Sequence, residues 1–121
     1  MFNLFSTYSD ISITNETIVN STIDDLYTIA AAGTVTVKDL RFDNVKNTGA
    51  ITESSSLFKI SSALYLAQIE KFEIINSHFY YGKAFEVESA AVLDFKDSTC
   101  TNNIIENQDF FSFNQVKKAT I

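Results

Sequence analysis

A weak internal repeat constrains this chain more than any other feature. The pattern apolar, two of any type, apolar, any, apolar, any, Asn fits Tyr8/Ile11/Ile13/Asn15, Val37/Leu40/Phe42/Asn44, Ile69/Phe72/Ile74/Asn76 and Phe95/Ser98/Cys100/Asn102, with Ser98 the one departure in 16 positions. Successive Asn residues lie 29, 32 and 26 apart, an average of 29. A second series, aromatic-any-apolar, falls between them at Tyr27/Ile29, Phe58/Ile60, Phe85/Val87 and Phe111/Phe113, with spacings of 31, 27 and 26. Ten of the 121 residues are Asn, so chance supplies an isolated match. Two series advancing in step are better explained by a repeated structural unit.

Within each unit the paired apolar residues are two apart, which puts both on one face of an extended strand. No stretch of 12 residues carries a helical stripe, and Phe, Tyr, Ile, Val and Thr dominate the repeat cores, the residue types that suit strands. The expectation is an all-β chain: a parallel β-helix of about four coils of roughly 29 residues, one segment over residues 1–121, each coil stacked on the next at the ~4.8 Å spacing of paired strands. In that stack Ile11, Ile13, Leu40, Phe42, Phe72, Ile74 and Cys100 face inward, with Phe58, Phe85 and Phe111 on a second strand. Charges support the stacking: Ser9, Lys38, Glu70 and Lys96 share one position and alternate in sign, while the next position holds Asp10, Asp39, Lys71 and Asp97. Asn15, Asn44, Asn76 and Asn102 would form an amide ladder where the strand bends, the alternative being the ordinary preference of Asn for turns.

Leu40-Arg41-Phe42-Asp43-Asn44 followed by Thr48-Gly49-Ala50-Ile51, and Phe72-Glu73-Ile74-Ile75-Asn76 followed by Tyr81-Gly82-Lys83-Ala84-Phe85, resemble the repeats of right-handed β-helix proteins. The resemblance is to the pectin-lyase-like superfamily and its polymorphic outer-membrane and adhesin-type repeats. It implies a right-handed coil and a surface or secreted protein that acts as an adhesin, a filament or a carbohydrate-active enzyme.

The remaining chemistry is sparse. Nine Lys+Arg against 15 Asp+Glu give a net charge of −6, which disfavours nucleic acid and anionic headgroups. One cysteine and one histidine allow neither an internal disulfide nor a thiolate–imidazole zinc site, so no metal or cofactor is expected. No apolar run approaches the ~18 residues of a membrane span. The start, Met1-Phe2-Asn3-Leu4-Phe5, lacks the basic region and long apolar core of a secretory signal. Asp24-Asp25 has the look of a paired-carboxylate site, but the Asn-x-Asp, Gly-His-Gly and Arg-x-Lys companions of the polysaccharide-cleaving relatives are missing. Cys100 reads as a small buried apolar residue that reacts slowly. His78 reads as a solvated loop residue, beside a possible sugar-stacking patch at Tyr80 and Tyr81. The sequons Asn15-Glu16-Thr17 and Asn20-Ser21-Thr22 are as frequent as chance provides. If the chain is exported, Asn20 is the expected glycan acceptor, because a buried Asn15 could not hold one. Thr52-Glu53-Ser54-Ser55-Ser56 reads as a protruding loop.

Ala119-Thr120-Ile121 repeats the phase of Val35-Thr36-Val37 and Leu93-Asp94-Phe95, so the chain is expected to stop in mid-coil. It would be part of a longer solenoid or of a stack of copies associating through coil ends. The leading expectation is a non-enzymatic structural or adhesive protein at the cell surface. A carbohydrate-active or carbohydrate-binding domain of the same fold comes second, and an acidic intracellular binding module third.

Overall fold

The computed structural model describes residues 2–5, 9–48, 55–106 and 111–121, and these contain strands and no helix. Among the described residues twelve strands form one curled sheet: β1 (Phe2–Phe5), β2 (Ile11–Thr22), β3 (Tyr27–Asn47), β4 (Ser56–Ile60), β5 (Ala63–Ile75), β6 (His78–Phe79), β7 (Lys83–Val87), β8 (Ala90–Lys96), β9 (Thr99–Thr101), β10 (Ile104–Ile105), β11 (Phe111–Phe113) and β12 (Val116–Thr120). All pairings among the described residues are parallel. Partners lie 24 to 32 residues apart, as in Ile13 with Val37 and Val37 with Ile69.

A straight strand as long as the 21-residue β3 would span roughly 70 Å at ~3.3 Å per residue, far more than a chain of this size can hold. The strand must turn, and it does so at residues in the left-handed region. Asn15, Asp39, Lys71 and Asp97 form one corner column with φ between 51° and 56°; Asn20, Asn44, Asn76 and Asn102 form a second with φ between 50° and 55°. Asn and Asp tolerate this backbone better than other non-glycine residues. Each corner resets the in/out alternation. The buried positions along β3 run Val35, Val37, then Leu40, Phe42, then Val45, Asn47: two apart within a face, three apart across a corner. The corners thus divide the curled sheet into faces. The first holds β1, 27–31, β4, β7 and β11; the second holds 11–14, 34–38, 66–70, β8 and β12; the third holds 16–19, 40–43, 72–75 and β9; the fourth holds 21–22, 45–47, β6 and β10.

The core fills the space between faces. Phe58 stacks on Phe85 at 4.8 Å with planes 4° apart, so the rings follow the strand spacing. Phe72 of the third face meets Phe85 of the first edge-on at 5.3 Å, and Phe42 at 5.7 Å. Tyr27, Phe58, Phe85 and Phe111 share one column, and Ile29, Ile60, Val87 and Phe113 another, as the second sequence series anticipates. Ala119 pairs with Leu93 and Thr120 with Asp94, in the expected phase.

The register of β2 on β3 departs from the repeat as read. Ile13 pairs with Val37, Glu16 with Leu40 and Ile18 with Phe42, so the first unit is 13/16/18/20 and not 8/11/13/15. The apolar fit of Ile11/Ile13 concealed this, because the true alignment puts the charged Glu16 in the Leu40 column. Glu16 is tolerated there because it is exposed. Ile11 and Phe111 are half-buried and not core proper, since among the described residues each lies in a strand paired on one side only. Tyr8, Gly49, Ala50 and Ile51 lie outside the described residues, as do 52–54 of the anticipated loop; Ser55 and Ser56 of that loop are buried, and Ser56 opens β4.

Where a corner interrupts the backbone ladder, a side-chain oxygen from beside the neighbouring strand replaces the missing carbonyl. The Val45 N–H donates to Ser77 Oγ (3.1 Å), the Ser77 N–H to Asn103 Oδ1 (2.9 Å) and the Phe72 N–H to Ser98 Oγ (3.3 Å). Ser98, the one misfit of the repeat, therefore has a backbone-satisfying role. Ser77→Ala should lower stability by about 1–3 kcal/mol because it orphans a buried N–H. Ser21→Ala, which loses only an exposed bond to the Val19 carbonyl, should cost less, as comparative urea unfolding would show.

Candidate functional site

The outer surface carries ordered columns of polar side chains. On the second face Thr14, Lys38, Glu70 and Lys96 are in register, and Lys38 Nζ lies 4.0 Å from Glu70 Oε1. At the first corner Lys71 Nζ lies 3.9 Å from Asp39 Oδ1, with Asn15 below Asp39 in place of the anticipated Asp10. On the third face Arg41 donates to Glu73 (2.9 Å) and to Asp43 (3.0 Å). Those two hydrogen bonds hold its guanidinium above its usual pKa. Asn15, Thr17, Asp39, Arg41, Lys71 and Glu73 line an open groove along this corner. Both carboxylates around Arg41 are engaged by it.

The asparagine column is Asn20, Asn44, Asn76 and Asn102. Asn44 Nδ2 donates to Asn20 Oδ1 at 2.7 Å and Asn102 Nδ2 to Asn76 Oδ1 at 3.3 Å, but Asn76 Nδ2 turns to Asp43 Oδ1 at 3.3 Å. The amides are exposed, contrary to the buried ladder, and Asn15 belongs to the other corner. Because Asn15 and Asn20 are both exposed corner residues, the reason for preferring Asn20 as glycan acceptor does not survive.

Asp24 and Asp25 act on backbone. Asp24 Oδ1 accepts from the Thr48 N–H (3.0 Å) and hydroxyl (3.2 Å), and Asp25 Oδ1 accepts from the Ser56 N–H (3.0 Å). Among the described residues no group of three or more His, Cys, Asp or Glu could hold a metal ion, and no helix is long and apolar enough to cross a membrane.

Two polar clusters escaped the sequence reading. Glu86 is buried on the first face, where it accepts from Ser56 Oγ (2.7 Å) and Lys83 Nζ (2.8 Å), with Lys59 Nζ 3.9 Å away. Burial pushes its pKa up, but the Lys83 and Ser56 hydrogen bonds and the lysine charges outweigh burial and hold it below the ordinary value. A depressed folded pKa contributes stability above the unfolded value, about 4.3, and that contribution is lost as pH falls through the folded value. Glu86→Gln should therefore flatten the acid limb of a thermal-stability profile below about pH 5. Asn47, fully buried, is the second: its Nδ2 donates to the Asp24 carbonyl (2.8 Å) and to Ser55 Oγ (3.3 Å), tying three turns together. The signal available was position, since Asn47 falls three after Asn44 in the inward phase.

Cys100 is aligned with Ile74 as expected, yet it is exposed because no described strand lies above β9. Partial burial raises its thiol pKa. It should react with a thiol reagent in the native state, at a rate independent of sub-denaturing urea and rising with pH, in place of the slow reaction of a core thiol. His78 is not a solvated loop residue: it lies in β6, stacks on Tyr80 at 3.9 Å and approaches Glu106 to 3.6 Å. No family model, no curated protein and no solved structure matches this chain.

Proposed function

We propose that this chain is a non-catalytic structural or adhesive segment of a right-handed parallel β-helix, of the cell-surface or extracellular kind, working through its rigid shape, its outer faces and association at its coil ends. The observation that carries the reading is where the polar groups go: Asp24, Asp25, Ser77, Ser98 and Asn103 bond backbone N–H groups of neighbouring coils, and the Arg41 carboxylates are paired. Side chains used to hold coils together are not poised for acid–base chemistry. Parallel pairing at near-constant offset supports a coil, and the strong preference of parallel crossovers for one hand supports right-handedness. The resemblance of the repeats to adhesin-type β-helices agrees with a surface role.

Concentration-dependent light scattering with negative-stain microscopy, run beside a polysaccharide-cleavage assay and a glycan array, tests the proposal. End-to-end assemblies without cleavage are expected. A strictly monomeric protein at high concentration removes the association, and cleavage of a polysaccharide replaces the structural reading with that of a carbohydrate-active β-helix.

A further inference from the structure

We propose that the corner between the first and second faces is a docking surface for a second copy of this chain, laid side by side with its strand stack inverted. This contact lies on the lateral surface and depends neither on an adhesive role nor on association at coil ends.

β5 carries one residue too many for its neighbours. Leu64 and Tyr65 both lie between Ala63 and Leu66, where β3 has only Gly33 between Ala32 and Thr34 and β8 has only Ala91 between Ala90 and Val92. The extra residue makes a bulge, and the small residues on either side of it leave Leu64 45% and Tyr65 60% exposed. β5 is paired on both sides here, so this exposure belongs to the bulge and not to an end of the stack. Leu66 and Val92 follow on the outer surface of the second face, since Ala67 and Leu93 are the inward residues. An apolar knob on a surface of polar columns marks a contact site.

The order of side chains along the stack says what fits the knob. Asp10, Thr34, Leu66, Val92 and Lys118 form one outward column: Asp10 Oδ1 accepts the Thr34 N–H at 3.2 Å, and the others are paired in register. Read in reverse, this column is its own complement. A twofold axis along β5 sets Leu66 on Leu66 and Tyr65 on Tyr65, with Val92 on the Thr34 methyl and Lys118 on Asp10 to either side. The next column, Ser12, Thr36, Gln68, Asp94 and Thr120, likewise places Gln68 on Gln68 and the Thr36 hydroxyl against Asp94. An apolar centre with opposite charges at its rim is the layout of a specific interface. Further along the face the same operation opposes Glu70 to Glu70 and Lys38 to Lys96, so the contact is confined to the corner end and the faces diverge beyond Gln68.

Chemical cross-linking of the whole chain in a Cys100→Ser background tests this pairing. Gln68→Cys and Glu73→Cys each place one thiol on the outer surface of β5, at the same height, on the second and third faces. Sheets packed face to face lie ~10 Å apart, within reach of a short bis-maleimide. Two Gln68→Cys chains should therefore be linked about tenfold or more faster than two Glu73→Cys chains. Copies stacked end to end hold equivalent residues about 24 Å apart, five strand rows, and treat the two sites alike. Tyr65→Ser should abolish the difference. Lys118→Asp should abolish it too, and Asp10→Lys combined with Lys118→Asp should restore it. Equal linking at the two sites, a difference that survives Tyr65→Ser, or a folded double variant that links no faster than Lys118→Asp alone would each overturn the proposal.

Discussion

Phe42→Asp should abolish the folded state, whereas Arg41→Ser should leave it standing. Phe42 is fully buried between Ile18 below and Ile74 above, with its ring 5.7 Å from Phe72. The substitution forfeits about 1.5–3 kcal/mol of apolar burial and adds an unpartnered carboxylate that the core cannot solvate. A small domain holds only about 5–15 kcal/mol in total. Arg41, one residue earlier, points outward into solvent with Glu73 and Asp43. Exposed pairs of this kind contribute little, so its loss should barely move the unfolding midpoint. Circular dichroism of the two variants decides the matter, and equal damage from both would show that the in/out phase is wrong.

Gly82→Ala should be the most damaging of the small substitutions. A Cβ at residue 82 would sit 2.1 Å from Asn47 Oδ1, 2.4 Å from its Cγ and 2.5 Å from its Nδ2. The Asn47 amide cannot yield cheaply, because it is fully buried and bound to the Asp24 carbonyl and Ser55. Overpacking and the broken hydrogen bonds together give an expected loss of about 2–4 kcal/mol. Asn47→Ala alone also destabilises, by freeing those turns, but it makes room for the methyl group. In the double variant the two losses should be less than additive by about 1 kcal/mol or more. Strict additivity would mean that the two residues do not share a site.

The repeat made most of the strand alignment legible, because inward apolar residues must recur wherever one coil covers another. The Tyr27/Phe58/Phe85/Phe111 column and the alternation of Lys38, Glu70 and Lys96 both follow from that requirement. The register of β2 was misread because two Asn residues five apart, Asn15 and Asn20, each occupy a corner, and apolar matching favours the wrong one. The first corner was itself hidden: its column, Asn15, Asp39, Lys71 and Asp97, mixes residue types, and only the three-residue gap between inward positions betrays it. Cys100 was placed in the right column, but its exposure depends on what lies above it, which no pattern within the repeat encodes. Glu86 and Asn47 were illegible for a different reason, since a buried polar residue is defined by partners 8 to 30 residues away, such as Ser55, Asp24 and Ser56.

Vertical registry of the coils can be read directly by disulfide trapping in a Cys100→Ser background. Arg41 and Glu73 are directly opposed on adjacent strands, so their Cα atoms lie near the ~4.8 Å strand spacing, inside the disulfide range. Arg41 and Glu70 share the outer surface but are offset by three residues and a corner. Under mild oxidation the Arg41→Cys/Glu73→Cys protein should close an intramolecular bond nearly to completion, and the Arg41→Cys/Glu70→Cys protein should remain reduced. Preferential closure of the 41/70 pair, or no closure of 41/73 in a folded protein, would contradict the stacked-coil account.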